Sequence, residues 1–174
     1  PMEADIQMPP PAPRERIWSK ITSRLRVMVP AGIWAKGLAG APGAARSAAF
    51  AMANKNVDSL VIANRTLDRA ESLVNIVVPR ISKVEAILLE RAREVSLDVD
   101  LIVNATSIGM NYSLEEKNTP LKSCEINPRS LVYDMVYTPL MTPLMSAANE
   151  SGAKILGGLW MLIYQGASSF NLWT

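Results

Sequence analysis

From residue 39 onward, short β-branched runs alternate with segments of helical composition, and this alternation constrains the fold more than any other feature of the chain. Four runs read as strands: Ser59 to Ala63 (SLVIA), Leu101 to Asn104 (LIVN), Leu131 to Val136 (LVYDMV) and Lys154 to Leu156. Between them, helices are expected over Ala44 to Asn54, over Asp68 to Ile81, after Thr142 and from about Leu159. The middle strands are apolar without a two-residue alternation, as strands buried on both faces must be. Strand and helix in regular turn predict a doubly wound parallel sheet of the α/β class with crossover helices on its faces. In such sheets ligands gather beyond the carboxyl ends of the strands, so the residues just after each strand are the candidate site.

The first 38 residues differ in composition. They hold six of the twelve prolines, Pro9, Pro10 and Pro11 among them, and six Lys or Arg against three acids. This segment is expected to be extended or disordered, a separate N-terminal region ahead of a nucleotide-binding domain over 39–174. Within it Trp18, Ile21, Leu25 and Met28 are spaced to form one apolar stripe on a short basic helix that Pro30 would end, docked on its own domain or on a partner. The first strand of the sheet is then sought in Ile33 to Leu38 (IWAKGL), a poor central strand because Lys36 puts a charge where a parallel sheet wants apolar residues.

Composition excludes several classes of function. Formal charge is +2, too near neutral to imply nucleic acid or a membrane surface, and no apolar run approaches the ~20 residues that span a bilayer. A single cysteine, Cys124, allows no intrachain disulfide, and a reducing cytoplasm is expected. There is no histidine, so acid–base chemistry would fall to Lys, Asp, Glu or Tyr, and no metal site is expected.

Two strand-end segments point to a dinucleotide. The first is Gly40-Ala41-Pro42-Gly43-Ala44-Ala45, which opens a helix whose free amides would favour a pyrophosphate. Pro42 stands where the dinucleotide fingerprint has glycine, and a plain helix start is the other reading. The second is Asn64-Arg65-Thr66, with Arg69 one turn on. A site for NAD puts an acid here, about 20 residues past the glycines, whereas a guanidinium suits a 2′-phosphate. Arg65, Arg69 and Thr66 therefore predict NADP. The alternative is a solvated helix start that Thr66 merely caps.

Three further blocks carry a resemblance. Asn104 to Met110 (NATSIGM), Val132 to Leu140 (VYDMVYTPL) and Gly158 to Ala167 (GLWMLIYQGA) are similar, in this order and spacing, to motifs of the shikimate dehydrogenase family. The resemblance covers residues 39 to 174. It implies a Rossmann-like domain, the cofactor NADP, and reversible hydride transfer between shikimate and 3-dehydroshikimate on the route to chorismate and the aromatic amino acids. Carried onto matching positions, it implies that Gly40, Ala41, Gly43 and Ala44 line the pyrophosphate and that Asn64, Arg65, Thr66 and Arg69 hold the 2′-phosphate. Asn104, Ala105 and Thr106 would border the cofactor, and Met135 and Gly158 would approach the nicotinamide. Tyr137 and Gln165 would touch the substrate. Without the resemblance, Met135 is equally a core residue, and Tyr137 and Gln165 are equally surface polar groups.

The chain also departs from the family pattern. The family carries a catalytic lysine and aspartate in an N-terminal domain of which residues 1–38 show no motif, so no catalytic residue is assigned and a separate or missing catalytic domain is expected as partner. Trp160 stands where the family commonly has glycine. A non-catalytic NADP-binding module is the competing reading. Glutamyl-tRNA reductase, which has a similar Asn-Arg-Thr segment, is disfavoured by NATSIGM and by Tyr164-Gln165-Gly166.

Overall fold

A computed structural model describes residues 25–31, 43–55 and 57–173 of the chain. They form one six-stranded, all-parallel sheet in the order β3-β2-β1-β4-β5-β6. The strands are β1 (Arg26–Ala31), β2 (Ser59–Asn64), β3 (Val84–Leu88), β4 (Leu101–Asn104), β5 (Leu131–Asp134) and β6 (Lys154–Gly157). Four longer helices accompany them: α1 (Gly43–Asn54), α2 (Leu67–Val77), α3 (Pro143–Ser151) and α4 (Leu159–Trp173). Short helical turns cover 89–98, between β3 and β4. This is the doubly wound arrangement expected from the alternation, and its order reverses between β1 and β4.

β1 corrects the sequence reading. The central strand is Arg26–Ala31, on the N-terminal side of the boundary expected at residue 38, whereas Ile33 to Leu38, where the sequence suggested it, lies outside the described residues. Leu25 and Met28 therefore do not share a helical stripe. Period two replaces period 3.6: Val27, Val29 and Ala31 enter one core cluster and Met28 the other. Val27, Met28 and Val29 are wholly buried, which stabilises the fold by about 1.5–3 kcal/mol for each such side chain. Pro30 is tolerated near the strand end, where its carbonyl still accepts a hydrogen bond from the Ala105 N–H at 2.9 Å. Trp18, Ile21, Lys36, Gly37 and the whole of 1–24 and 32–42 lie outside the described residues.

Two cores sandwich the sheet. On one face α1 presents Ala45, Ala48, Ala49, Met52 and Ala53, a helical stripe of small residues that lets it lie close to Val27, Val29, Leu60 and Ile62. α2 adds Ala70, Leu73 and Val77 to that core. On the other face Leu144 and Ala148 of α3 meet Met28, Ile102 and Val132. α3 has a clear start and stop: the Thr142 hydroxyl accepts the Met145 N–H, Pro143 opens the first turn, and Gly152 ends the helix at φ +88°. α4 differs, since none of its residues is buried, although it is the most apolar of the four in composition. No helix among the described residues is long and apolar enough to cross a membrane.

Candidate nucleotide site at the strand ends

β2 delivers Asn64 at its last position, fully buried, so that Arg65 and Thr66 emerge from the sheet edge and α2 begins at once. The Asn64 Oδ1 accepts the Thr66 N–H at 3.0 Å, an Asx turn that sets the direction of the exit. Its Nδ2 is buried and has no hydrogen-bond partner among the described residues. A buried amide donor without an acceptor costs about 1–3 kcal/mol, so this group is poised to receive one. Thr66 occupies the cap position of α2, yet its hydroxyl makes no capping bond and remains free to donate elsewhere. Arg65 and Arg69 are exposed beside it. Asp68, in the first turn of α2, is exposed, and positions 64–67 carry no acid. The donors expected to face a 2′-phosphate are thus gathered at one strand end.

Arg65 has a partner that the sequence did not reveal. Its Nη1 lies 2.9 Å from Glu115 Oε2, across fifty residues of sequence. Glu115 belongs to the polar loop between β4 and β5, and a cleft of about 460 Å³ lies alongside, lined by Arg65, Leu88, Leu89, Glu90, Ile108, Thr119 and Pro120.

Next to the switch point, the ends of β4 and β5 are tied by a buried polar network. Asn104 Nδ2 donates to Asp134 Oδ1 at 2.9 Å, and Asn104 Oδ1 accepts from both the N–H and the hydroxyl of Thr106. The Thr106 hydroxyl in turn accepts the Ile108 N–H at 3.1 Å. Asp134 also accepts the Val136 N–H at 3.0 Å and the Thr142 hydroxyl at 2.6 Å. Burial pushes the Asp134 carboxyl above its ordinary pKa, opposed by the hydrogen bonds from Thr142, Val136 and Asn104. The side chains of Asn104 and Thr106 are therefore spent inside the molecule, and Ala105 is nearly as buried, so these residues can border a ligand only through backbone.

Met135 and Gly158 are brought into direct apposition. A Cβ on Gly158 would stand 2.3 Å from the Met135 carbonyl oxygen and 3.0 Å from that of Asp134, so only glycine lets the start of α4 reach the end of β5. Tyr137 follows β5 with 42% of its surface exposed, and Gln165 is exposed on α4. Gly43 and Ala44 open α1, whereas Gly40, Ala41 and Pro42 lie outside the described residues.

Chemically, this is a set of donors rather than an acid–base centre. The described residues hold no cluster able to bind a metal ion, and the one buried carboxyl at the strand ends accepts hydrogen bonds from three partners. The residues missed from sequence are Glu115, Asp134 and Thr142. Asp134 left a signal: an acid inside LVYDMV has to find donors in the core. Glu115 left none.

Known proteins resemble this arrangement. The shikimate / quinate 5-dehydrogenase family matches residues 36–136, and the shikimate 5′-dehydrogenase C-terminal domain matches residues 158–174. The shikimate dehydrogenase (NADP(+)) of Bacillus cereus strain G9842 is 38% identical over 137 residues, covering 79% of this chain and 48% of that protein. A shikimate dehydrogenase solved with NADP+ superposes with a TM-score of 0.69 at 32% identity, over 91% of this chain and 53% of that one. The shikimate 5-dehydrogenase of Thermus thermophilus, solved with NADP(H) and shikimate, gives 0.66 at 32% identity, over 87% and 49%. The chain thus spans about half the length of the relatives it matches.

Proposed function

The chain belongs to the shikimate / quinate 5-dehydrogenase family, and from that premise we propose that β1 together with residues 39–174 forms the NADP-binding half of a shikimate dehydrogenase. One observation carries the choice of cofactor. Where β2 ends, positions 64–67 carry no acid, and the chain offers two guanidinium groups, an uncommitted hydroxyl and a buried orphan amide, while the Glu115 carboxylate is held in its ion pair with Arg65. An adenosine bearing a 2′-phosphate matches that set, because a phosphate offers acceptors and charge to Arg65, Arg69 and Thr66. A bare ribose 2′-hydroxyl would find no acid at positions 64–67 to accept its hydrogen bond.

The residues divide the work. Arg65, Arg69 and Thr66 hold the phosphate, and Asn64 directs the exit that presents them. Gly43 and Ala44 place the N–H groups of the α1 start towards a pyrophosphate, with Gly40 and Ala41 ahead of them. The network of Asn104, Thr106, Asp134 and Thr142 fixes the ends of β4 and β5, and so the backbone of Ala105 and Met135. Gly158 holds α4 against Met135, and α4 carries Gln165 while the β5 exit carries Tyr137, the two groups assigned to the substrate. Bound there, the nicotinamide supplies or accepts the hydride that interconverts shikimate and 3-dehydroshikimate.

Proton transfer is assigned to a further domain bearing the family's lysine and aspartate, because the buried Asp134 carboxyl at the strand ends is taken up by Asn104, Val136 and Thr142. That commitment favours a second reading, a module that holds the nucleotide without turning over. We infer a cytoplasmic location from the single cysteine, Cys124, whose exposed thiol a reducing compartment would keep free. The test is NADP-dependent oxidation of shikimate by the chain alone and by the chain mixed with a family catalytic domain. Turnover in either supports the dehydrogenase. NADPH binding with no turnover in both supports the module.

A further inference from the structure

The Arg65–Glu115 contact is unusual in where it falls, because it occupies the residue on which cofactor choice depends. Glu115 is not a mobile surface acid that happens to lie near. Its carbonyl accepts the Gly109 N–H at 2.9 Å and the Asn118 N–H at 3.0 Å, and its own N–H donates to the Ser113 hydroxyl at 3.3 Å. Gly109, at φ +84°, is itself wedged against the Pro143 ring, where an added Cβ would meet Cδ at 3.0 Å. The loop thus fixes the Glu115 backbone and aims its carboxylate at Arg65, and that side chain is only 28% exposed. Glu90, on the rim of the adjoining cleft, adds a second acid to the surroundings.

We propose that Glu115 is a specificity-determining residue: a built-in counter-anion to Arg65 that competes with the 2′-phosphate of an adenine nucleotide and so moderates the preference for NADP over NAD. The inference rests on the reading of Arg65 as the 2′-phosphate ligand and deepens it. A guanidinium carries five N–H donors, and the ion pair uses one nitrogen, so a phosphate must either displace the carboxylate or share Arg65 with it. Sharing brings two anions together, and displacement breaks the pair; either way part of the phosphate's binding energy is offset. A nucleotide with a 2′-hydroxyl leaves the pair intact.

The experiment is a double-mutant cycle over Arg65→Ala and Glu115→Gln, read by NMR or calorimetric titration with adenosine 2′-monophosphate and adenosine 5′-monophosphate, then with NADPH and NADH. The monophosphates isolate the adenosine end from the glycine segment. Glu115→Gln should tighten adenosine 2′-monophosphate and NADPH about twofold to fivefold, the range of a part-exposed ion pair. The same change should leave adenosine 5′-monophosphate and NADH within error, and it should do nothing in the Arg65→Ala background. Unchanged or weakened 2′-phosphate binding in Glu115→Gln, with Arg65→Ala still deleterious, overturns the competition while leaving Arg65 as the phosphate ligand. If Arg65→Ala has no effect on the 2′-phosphate compounds, the reading of the site falls, and the role of Glu115 with it.

Discussion

Replacing Asp134 by alanine leaves three buried donors without an acceptor: Asn104 Nδ2, the Thr142 hydroxyl and the Val136 N–H. Each costs about 1–3 kcal/mol when stranded in the core, and water entering the space left by the carboxyl relieves part of it. The expected destabilisation is on the order of 3–6 kcal/mol, a large share of the ~5–15 kcal/mol that holds a domain folded. Asp134→Asn should behave differently. Its Oδ1 can still receive Asn104 and Val136, and its amide can donate to the Thr142 oxygen, so two donors are left over, the Thr142 O–H and the second amide N–H, while a buried charge is removed. The cost near neutral pH should stay below that of the alanine variant.

The pH dependence follows from burial. Because the folded carboxyl titrates above its unfolded value, the native state binds the extra proton between the two pKa values, and stability falls as pH rises through that window. The stability of the wild type relative to Asp134→Asn should therefore increase on acidification from neutral pH towards the unfolded carboxylate pKa. Urea denaturation of the three proteins across that range measures it. An alanine variant within about 1 kcal/mol of wild type, or a relative stability that falls on acidification, would refute the buried network as described.

Two further changes probe the frame around the site. Gly158→Ala forces a Cβ to within 2.3 Å of the Met135 carbonyl oxygen, and since backbone must give way, a loss of roughly 2–4 kcal/mol is expected in urea or thermal unfolding, with normal stability being the contrary result. Val29→Asp buries an unpaired charge at a wholly buried position of β1 and should abolish cooperative folding, as followed by circular dichroism; a folded variant would contradict the central strand at Arg26–Ala31.

Strands β2, β4, β5 and β6 were legible because their signals agree with one another. SLVIA and LIVN are buried on both faces, and the small-residue stripe of α1 follows helical spacing. β1 was not, because Pro30 and Arg26 flank a short VMV run, and Leu25 and Met28 also satisfy a helical period. Only the pairing of Val27 with Leu60 and Leu101 on either side decides between them. β3 escaped notice for a similar reason: as an edge strand containing Glu85, it is half-buried and lacks the continuous apolar run of its neighbours. At the site, Asn64, Arg65, Thr66 and Arg69 are contiguous and follow a recognisable strand. Glu115 and Thr142 reach their partners only through the tertiary fold, across loops whose conformation no local pattern specifies.

The most direct test of the nucleotide site is titration of the purified chain and its Arg65→Ala variant with NADPH and NADH. Losing a charge-assisted contact to phosphate costs about 1.5–3 kcal/mol, or roughly tenfold to a hundredfold in affinity. NADPH binding that exceeds NADH binding and falls by that factor in Arg65→Ala, with NADH unaffected, is the predicted result. Equal affinity for the two nucleotides, or NADPH binding indifferent to Arg65, would contradict a 2′-phosphate site at the end of β2.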